Sequence, residues 1–135
     1  RRLPGIVCEV ADRLLDAQIH NRPALDVIAE FNGPEVLIYA DPPYVKQTRS
    51  MHGDQYHYEM TDHDHEQLLA TLVAHKGMVM LSGYSHPMYE EALSAWTVFS
   101  KNTTAERGVQ RKECLWLNPS MTRRLITQIE MEEHP

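Results

Sequence analysis

Cysteines are few and long apolar segments are absent, and each shortage excludes a class of protein. The two cysteines, Cys8 and Cys114, are far apart in the sequence and form neither a disulfide framework nor a metal-binding pair. No apolar run approaches the roughly 20 residues that span a bilayer, and the first residues lack the apolar core of a secretory signal. We therefore expect a cytoplasmic protein with reduced thiols and no membrane partner.

The overall charge is unfavourable for a protein that binds nucleic acid, but its distribution is uneven. The net charge is −6 among 135 residues, a length that corresponds to one domain. Residues 101–124 nevertheless carry mainly basic charges, whereas the acids gather on the predicted helices and near the end of the sequence. This basic stretch is either a surface that faces phosphates or an ordinary solvated surface of mixed charge.

The most informative stretch is an apolar run that ends abruptly in an acid, two prolines and an aromatic residue. Residues 36–40 are apolar or aromatic, which is typical of a strand buried on both faces of a parallel sheet. Pro42 and Pro43 lack N–H groups, so the strand must end before them. Asp41 and Tyr44 therefore lie at the carboxyl end of a strand, where open α/β sheets bind their ligands.

The turn at Asp41 offers a restricted chemistry. The Asp41 carboxylate and the Pro42 carbonyl are acceptors, and together they can bind both hydrogens of one amino group. The ring of Tyr44 can stack on a planar base. Two acceptors favour the pyramidal form of an aryl amine, whose exposed lone pair can then attack an electrophilic methyl group. The alternative is a Pro-Pro turn in which Asp41 is only a turn former.

Periodicity and chain breakers predict the remaining elements. Helices are expected at residues 6–15, 23–31, 61–75 and 87–96, and weakly at residues 123–130. Strands are expected at residues 17–21, 36–40, 78–81, 97–100 and 113–117. Thr61 and Asp64 form a predicted capping box, and the aperiodic residues 45–60 predict a long mobile loop. This alternation predicts an α/β fold with a mainly parallel sheet that ends in an antiparallel hairpin.

Two other kinds of site are not supported by the sequence. His63 and His65 suggest a metal site, but residues two apart on a helix point to different faces. Ser82 and His86 suggest a hydrolase, but the Gly-x-Ser-x-Gly turn and an acid partner are missing. We expect neither a metal cofactor nor a hydrolytic triad.

Asp-Pro-Pro-Tyr at residues 41–44 resembles the catalytic signature of the amino methyltransferases of nucleic acids. With the segments at residues 18–28, 48–49, 58–61, 81–84 and 111–118, the chain is similar to adenine-specific DNA methyltransferases of the GATC-modifying type. It is more closely similar to their phage and prophage relatives. The resemblance implies a partial Rossmann-like methyltransferase fold. It also implies methyl transfer from S-adenosylmethionine to the N6 amino group of a flipped-out adenine in double-stranded DNA, as in restriction-modification systems.

The resemblance further implies roles for individual residues. The implied catalytic residues are Asp41, Pro42, Pro43 and Tyr44. The implied contacts to S-adenosylmethionine are Asp41, Asn21 and Arg22, and no metal is required. The implied contacts to the substrate are Tyr44, Thr48, Arg49, Ser82, Gly83, Tyr84 and Asn102. Outside the tetrapeptide, ordinary turns, loop positions and strand ends remain the alternative explanation for these residues.

The family's Phe-x-Gly-x-Gly turn, its early lysine-bearing segment and its target-recognition domain have no counterpart in the sequence. We therefore expect residues 1–135 to be one domain, the carboxyl-terminal catalytic half of a methyltransferase, inactive and weak in cofactor binding by itself. The edge of the strand at residues 36–40 would then pair with a second copy or with residues 17–21. The alternatives are a non-catalytic nucleic-acid-binding or assembly remnant, or a methyltransferase that acts on cytosine amino groups, RNA or protein amides.

Overall fold

The computed structural model describes residues 3–46, 59–104 and 110–133 of the chain. The elements in chain order are α1 (Leu3–Leu14), α2 (Ala24–Glu30), β1 (Leu37–Ala40), α3 (Asp62–Val73), β2 (Met78–Tyr84), α4 (Pro87–Ala92), β3 (Thr97–Thr104), β4 (Gln110–Leu117) and α5 (Pro119–Glu133). No helix within these described ranges is long and apolar enough to cross a membrane.

The described strands form one mixed sheet in the order β1-β2-β4-β3. β1 pairs with β2 in parallel, whereas β4 pairs with both β2 and β3 in antiparallel orientation. The predicted α/β class and the antiparallel hairpin are confirmed, but the prediction of a mainly parallel sheet is wrong. The reason is that only five residues separate β3 from β4, too few for a helical crossover, and that β4 enters the sheet between β3 and β2.

Pairing within the sheet also corrects the predicted boundaries of β2 and of the segment at residues 17–21. β2 continues to Tyr84 because residues 80–84 pair with β4, so Ser82 and Gly83 lie inside the strand. The strand predicted at residues 17–21 is wrong. This segment has no regular structure, the side chain of Ile19 is 96% exposed, and the segment pairs with none of the strands that the structure describes.

The predicted loop at residues 45–60 is described only at its two ends. Residues 47–58 lie outside the described residues. Val45, which follows the Asp-Pro-Pro-Tyr segment, is buried in the core, and Met60 packs against the same cluster. The two ends of this connection are therefore anchored in the interior, which its lack of periodicity did not predict.

One face of the sheet carries the hydrophobic core. Val79 and Leu81 of β2 and Trp116 of β4 are buried on this face, where α3 and α4 cover them. The core residues that these helices contribute are Leu68, Leu69 and Leu72 of α3 and Tyr89 of α4, and Leu93 follows directly after α4. On the opposite face Leu37, Tyr39 and Phe99 remain about half exposed or more, since the side chains of a strand alternate between the faces. The first face is therefore packed by α3 and α4, whereas the second face is buried around Leu117, beside α5, and is open around Leu37, Tyr39 and Phe99.

The capping box predicted at the start of α3 is confirmed. The Thr61 backbone N–H donates to Asp64 Oδ2 at 2.8 Å, and the Asp64 N–H donates to Thr61 Oγ1 at 3.2 Å. The Thr61 hydroxyl and then its backbone N–H hold the pKa of Asp64 below its ordinary value of 3.8. The carboxylate therefore contributes stability that is complete above that pH and is lost as the pH falls through the lowered pKa.

Asn118, between β4 and α5, ties three elements together through a buried side chain. Its Oδ1 accepts from the N–H of Val79 at 3.1 Å and from that of Met121, in the first turn of α5, at 2.9 Å. Its Nδ2 donates to the carbonyl of Gly77 at 2.8 Å. This side chain is therefore both the cap of α5 and the link between α5 and the start of β2.

We expect Asn118→Ala to lower the free energy of unfolding by about 3 kcal/mol, because it leaves the Val79 N–H and the Gly77 carbonyl unpaired and removes a helix cap. Urea denaturation followed by circular dichroism measures this change. Asn21→Ala is the matched control, since Asn21 is exposed, and its effect should stay within about 0.5 kcal/mol. Equal stabilities of the two variants would contradict the proposed link.

Candidate active site

Asp41 lies directly after β1 and is held by the neighbouring strand. Because Ala40 pairs with Leu81 across the parallel ladder, the next residue of each strand lies side by side. The Ser82 hydroxyl donates to Asp41 Oδ1 at 2.7 Å and also lies 3.3 Å from the carbonyl oxygen of Ala40. Ser82 was expected at a strand end, but it lies within β2 and orients the exposed carboxylate of Asp41.

Two tyrosines and an arginine form a stack beside this carboxylate. The rings of Tyr44 and Tyr84 meet edge to face, with centroids 4.6 Å apart and an interplanar angle of 67°. The Cζ atom of Arg111, on β4, lies 4.9 Å from the centre of the Tyr84 ring. Tyr84 thus contacts both the ring that follows the two prolines and a cationic group on the next strand.

A cavity of about 940 Å³ lies on one side of Asp41, between α2, β1 and the start of α3. Its apolar wall includes Leu25, Ile28, Ile38, Met60 and Leu68. Its polar groups are His20, Arg22, Asp41, Asp64 and Gln67. A flat, partly polar molecule can bind here, since an apolar wall with a few polar groups is typical of small-molecule sites.

A second cavity of about 480 Å³ lies on the open face of the sheet. Its lining residues from β1 and the turn after it are Tyr39, Asp41 and Tyr44, and those from β2 are Ser82 and Gly83. The hairpin of β3 and β4 contributes Phe99, Ser100, Lys101, Glu113, Cys114 and Leu115. Tyr39 and Asp41 line both cavities. The Asp41 carboxylate therefore lies where two separate ligands can approach each other.

Of the other predicted site residues, only some line a cavity. Arg22 lines the first cavity but is paired with Glu30, whose pKa its hydrogen bond and its charge hold below the ordinary value. Asn21 is exposed and is absent from the lining of that cavity. Asn102 is exposed on β3 opposite Lys112 and lines neither cavity. Thr48 and Arg49 lie outside the described residues.

Several lining residues were not predicted from the sequence. Tyr39 was assigned to a strand buried on both faces, yet its side chain is 61% exposed and lines both cavities. Lys101 and Glu113 are direct partners in the β3–β4 ladder and both line the second cavity. Aligning the predicted hairpin would have paired these opposite charges, so the signal was present in the register of the two strands.

Of the two histidines at the start of α3, only His65 packs in the core. His65 is buried, and its Nδ1 lies 3.0 Å from the hydroxyl of Tyr89 in the core. Burial raises the pKa of Tyr89 to about 12. His63 is exposed and lies 3.8 Å from Glu66. The two rings thus face different environments, as expected for residues two apart on a helix.

Comparison with known proteins connects this geometry to one family. A family profile described as D12 class N6 adenine-specific DNA methyltransferase matches residues 7–106 of this chain. The matched region contains β1, the Asp-Pro-Pro-Tyr turn, β2 and β3, and therefore most of the residues that line the two cavities. A search among curated proteins found no match. Because the profile covers most of the sequence, the chain belongs to the D12 class of N6 adenine-specific DNA methyltransferases.

Proposed function

We propose that this chain is the catalytic half of an enzyme that transfers the methyl group of S-adenosylmethionine to the N6 amino group of an adenine flipped out of double-stranded DNA, and that it is inactive by itself. The observation that carries the proposal is that Asp41 lines both cavities. A methyl donor and an acceptor base must meet within bonding distance, and the shared wall provides one such meeting point. The mixed sheet is interpreted as part of a Rossmann-like methyltransferase sheet, and the described elements act as one catalytic unit.

The first cavity fits the adenosine part of S-adenosylmethionine. Leu25 and Ile28 offer an apolar surface for a planar ring, and the Gln67 amide offers a partner for a ribose hydroxyl. Its volume of about 940 Å³ is ample for a ligand of this size. Arg22 is less suited to the cofactor because Glu30 already occupies its guanidinium. When bound, the cofactor supplies an electrophilic methyl group.

The second cavity is the proposed site of the target base. Extrusion of a base from the duplex costs a few kcal/mol, so the receiving site must offer stacking and hydrogen bonds in return. The Tyr44 ring lines this cavity and is supported at its edge by Tyr84. The Ser82 hydroxyl donates a hydrogen bond to Asp41, which holds the carboxylate in the wall of this cavity. An adenine stacked on Tyr44 would present its amino group towards Asp41.

Asp41 and Pro42 are proposed to activate the amine. An exocyclic amine is a poor nucleophile because its lone pair is conjugated with the ring. The Asp41 carboxylate and the Pro42 carbonyl accept hydrogen bonds from its two N–H groups, which localises the lone pair on nitrogen. As the new C–N bond forms, the methyl–sulfur bond would break to release S-adenosylhomocysteine, and the amine would lose one proton to solvent. These acceptors are fixed in place before the base arrives, since Pro42 has a fixed φ and Ser82 bonds the carboxylate.

The direct test is Asp41→Ala in the intact protein, assayed with tritiated S-adenosylmethionine and DNA. We expect a loss of at least about 100-fold in kcat, comparable to the loss of one preorganised polar group in other active sites. Ser82→Ala should lower kcat by about 10-fold, because it removes one hydrogen bond to a charged group and leaves the carboxylate in place.

Asp26→Ala is the matched control for this experiment. Asp26 is an exposed acid on α2 that lines neither cavity, so its removal should leave kcat unchanged. Asp41→Ala turnover equal to that of the control, in a folded variant, would contradict the assignment of Asp41.

We also propose that β1 pairs with a second copy of this chain when the protein is isolated. β1 is an edge strand of the described sheet and has a neighbouring strand, β2, on one side only. The side chain of Leu37 in this strand is about half exposed. No lysine, proline or glycine lies within β1 to prevent edge pairing. The alternative partner, residues 17–21, is not a strand.

Light scattering should therefore give the mass of a dimer at micromolar concentration. Leu37→Lys should shift the protein towards the monomer, because a charge at a strand edge opposes pairing. Leu15→Lys, which changes an equally apolar but 76% exposed residue after α1, is the control and should have no effect. A wild-type protein with the mass of a single chain would refute this proposal.

A further inference from the structure

Arg111 is a charged side chain with two donor atoms that lack hydrogen-bond partners. It lies on β4 and pairs with Thr103 of β3, two residues before Glu113 on the same face of the sheet. Its Cζ atom lies 4.9 Å from the centre of the Tyr84 ring. Its Nε and Nη2 atoms are buried and have no hydrogen-bond partner among the residues that the structure describes.

This arrangement is costly for the protein alone. A guanidinium remains charged at all physiological pH values and carries five N–H donors. Withdrawing such donors from water without an acceptor is unfavourable. The contact with the Tyr84 ring offsets part of this cost, but it provides no hydrogen-bond acceptor for Nε and Nη2. An anionic acceptor that arrives from outside would satisfy them.

The position of Arg111 indicates which anion this is. Tyr84 contacts Arg111 through its face and meets Tyr44, which lines the second cavity. Two rings, those of Tyr44 and Tyr84, therefore lie between Arg111 and a base stacked on Tyr44. Glu113 is the nearest acid along the strand, but it is exposed and forms no ion pair with Arg111 within the described ranges. The acceptor is thus expected from the molecule that carries the base.

We propose that Arg111 binds a backbone phosphate of the DNA beside the target nucleotide and, through Tyr84, positions the ring of Tyr44. This inference rests on the proposed function and names a contact that holds the substrate. The planar guanidinium can donate two parallel hydrogen bonds to one phosphate, which a lysine cannot do. Binding of the phosphate would satisfy Nε and Nη2 and fix the Arg111–Tyr84–Tyr44 stack at the same time.

The first experiment measures the salt dependence of DNA binding by fluorescence anisotropy with a short mixed-sequence duplex. Arg111→Ala should weaken binding about tenfold, as expected for loss of a hydrogen bond to a charged group. It should also make the slope of log K against log salt shallower by about one, because one fewer phosphate is neutralised. Arg111→Lys should keep the slope but lose affinity, since it retains the charge without the paired donors.

Lys112→Ala is the matched control, because it removes the same charge from the same strand. The side chain of Lys112 is exposed and points to the opposite face of the sheet. We expect its affinity and slope to match those of the wild-type protein. If Arg111→Ala and Lys112→Ala change the slope equally, the phosphate contact at Arg111 is refuted.

Thermal stability separates binding from a purely structural role. Arg111→Met replaces a half-buried guanidinium, two of whose donor atoms lack partners, by an apolar side chain, so the melting temperature should stay the same or rise. If Arg111 served only to support the fold, the melting temperature would fall and the salt slope would not change. That outcome would overturn the inference.

Failure of this inference is distinguishable from failure of the proposed function. The anisotropy experiment requires no methyl transfer. If wild-type protein methylates adenine and Asp41→Ala does not, while Arg111→Ala binds DNA like the wild type, only the phosphate contact is wrong. If no adenine is methylated but the slope changes as expected, the phosphate contact stands and the proposed chemistry is wrong.

Discussion

The parallel register of β1 and β2 is the constraint on which the site depends. This register is set at the start of the two strands, where the Met78 N–H donates to the carbonyl of Val36 at 2.9 Å. Gly77 permits this approach, since a Cβ atom there would lie 2.3 Å from the same carbonyl oxygen. A shift of one residue would place Leu81 or Gly83 beside Asp41 instead of Ser82, because the side chains of a strand alternate between faces.

The difference in length between the two strands has a chemical consequence. β1 must end at Ala40 because two prolines follow Asp41, whereas β2 continues to Tyr84. The protruding part of β2 supplies the hydroxyl that bonds Asp41 and the ring that supports Tyr44. The site thus consists of a rigid turn from one strand and the overhanging end of its neighbour. Arg111 extends the same stack onto the third strand.

Local features were predictable from the sequence because they depend on neighbouring residues only. The end of β1 follows from the ring constraint of Pro42 and Pro43, and the start of α3 follows from the reciprocal hydrogen bonds of Thr61 and Asp64. The position of Asp41 at a strand end was predictable for the same reason.

Features that depend on pairing between distant segments were predicted poorly. Ser82 and Gly83 have low strand propensity, and only their pairing with β4 keeps them in β2. The mixed character of the sheet likewise depends on which of β3 and β4 enters next to β2. The cavities, with Lys101 and Glu113 in one wall, and the unsatisfied donors of Arg111 arise from this arrangement. Residues 17–21 show the converse, since a short apolar pattern forms no strand without a partner.

The identity of the methylated nucleoside tests the central claim most directly. DNA is incubated with the intact protein and S-adenosylmethionine that carries a deuterated methyl group, and is then digested and analysed by mass spectrometry. If Asp41 and Pro42 orient the amine of an adenine stacked on Tyr44, the label appears in N6-methyldeoxyadenosine. Label in N4-methyldeoxycytidine, or in no nucleoside at all, would contradict this account.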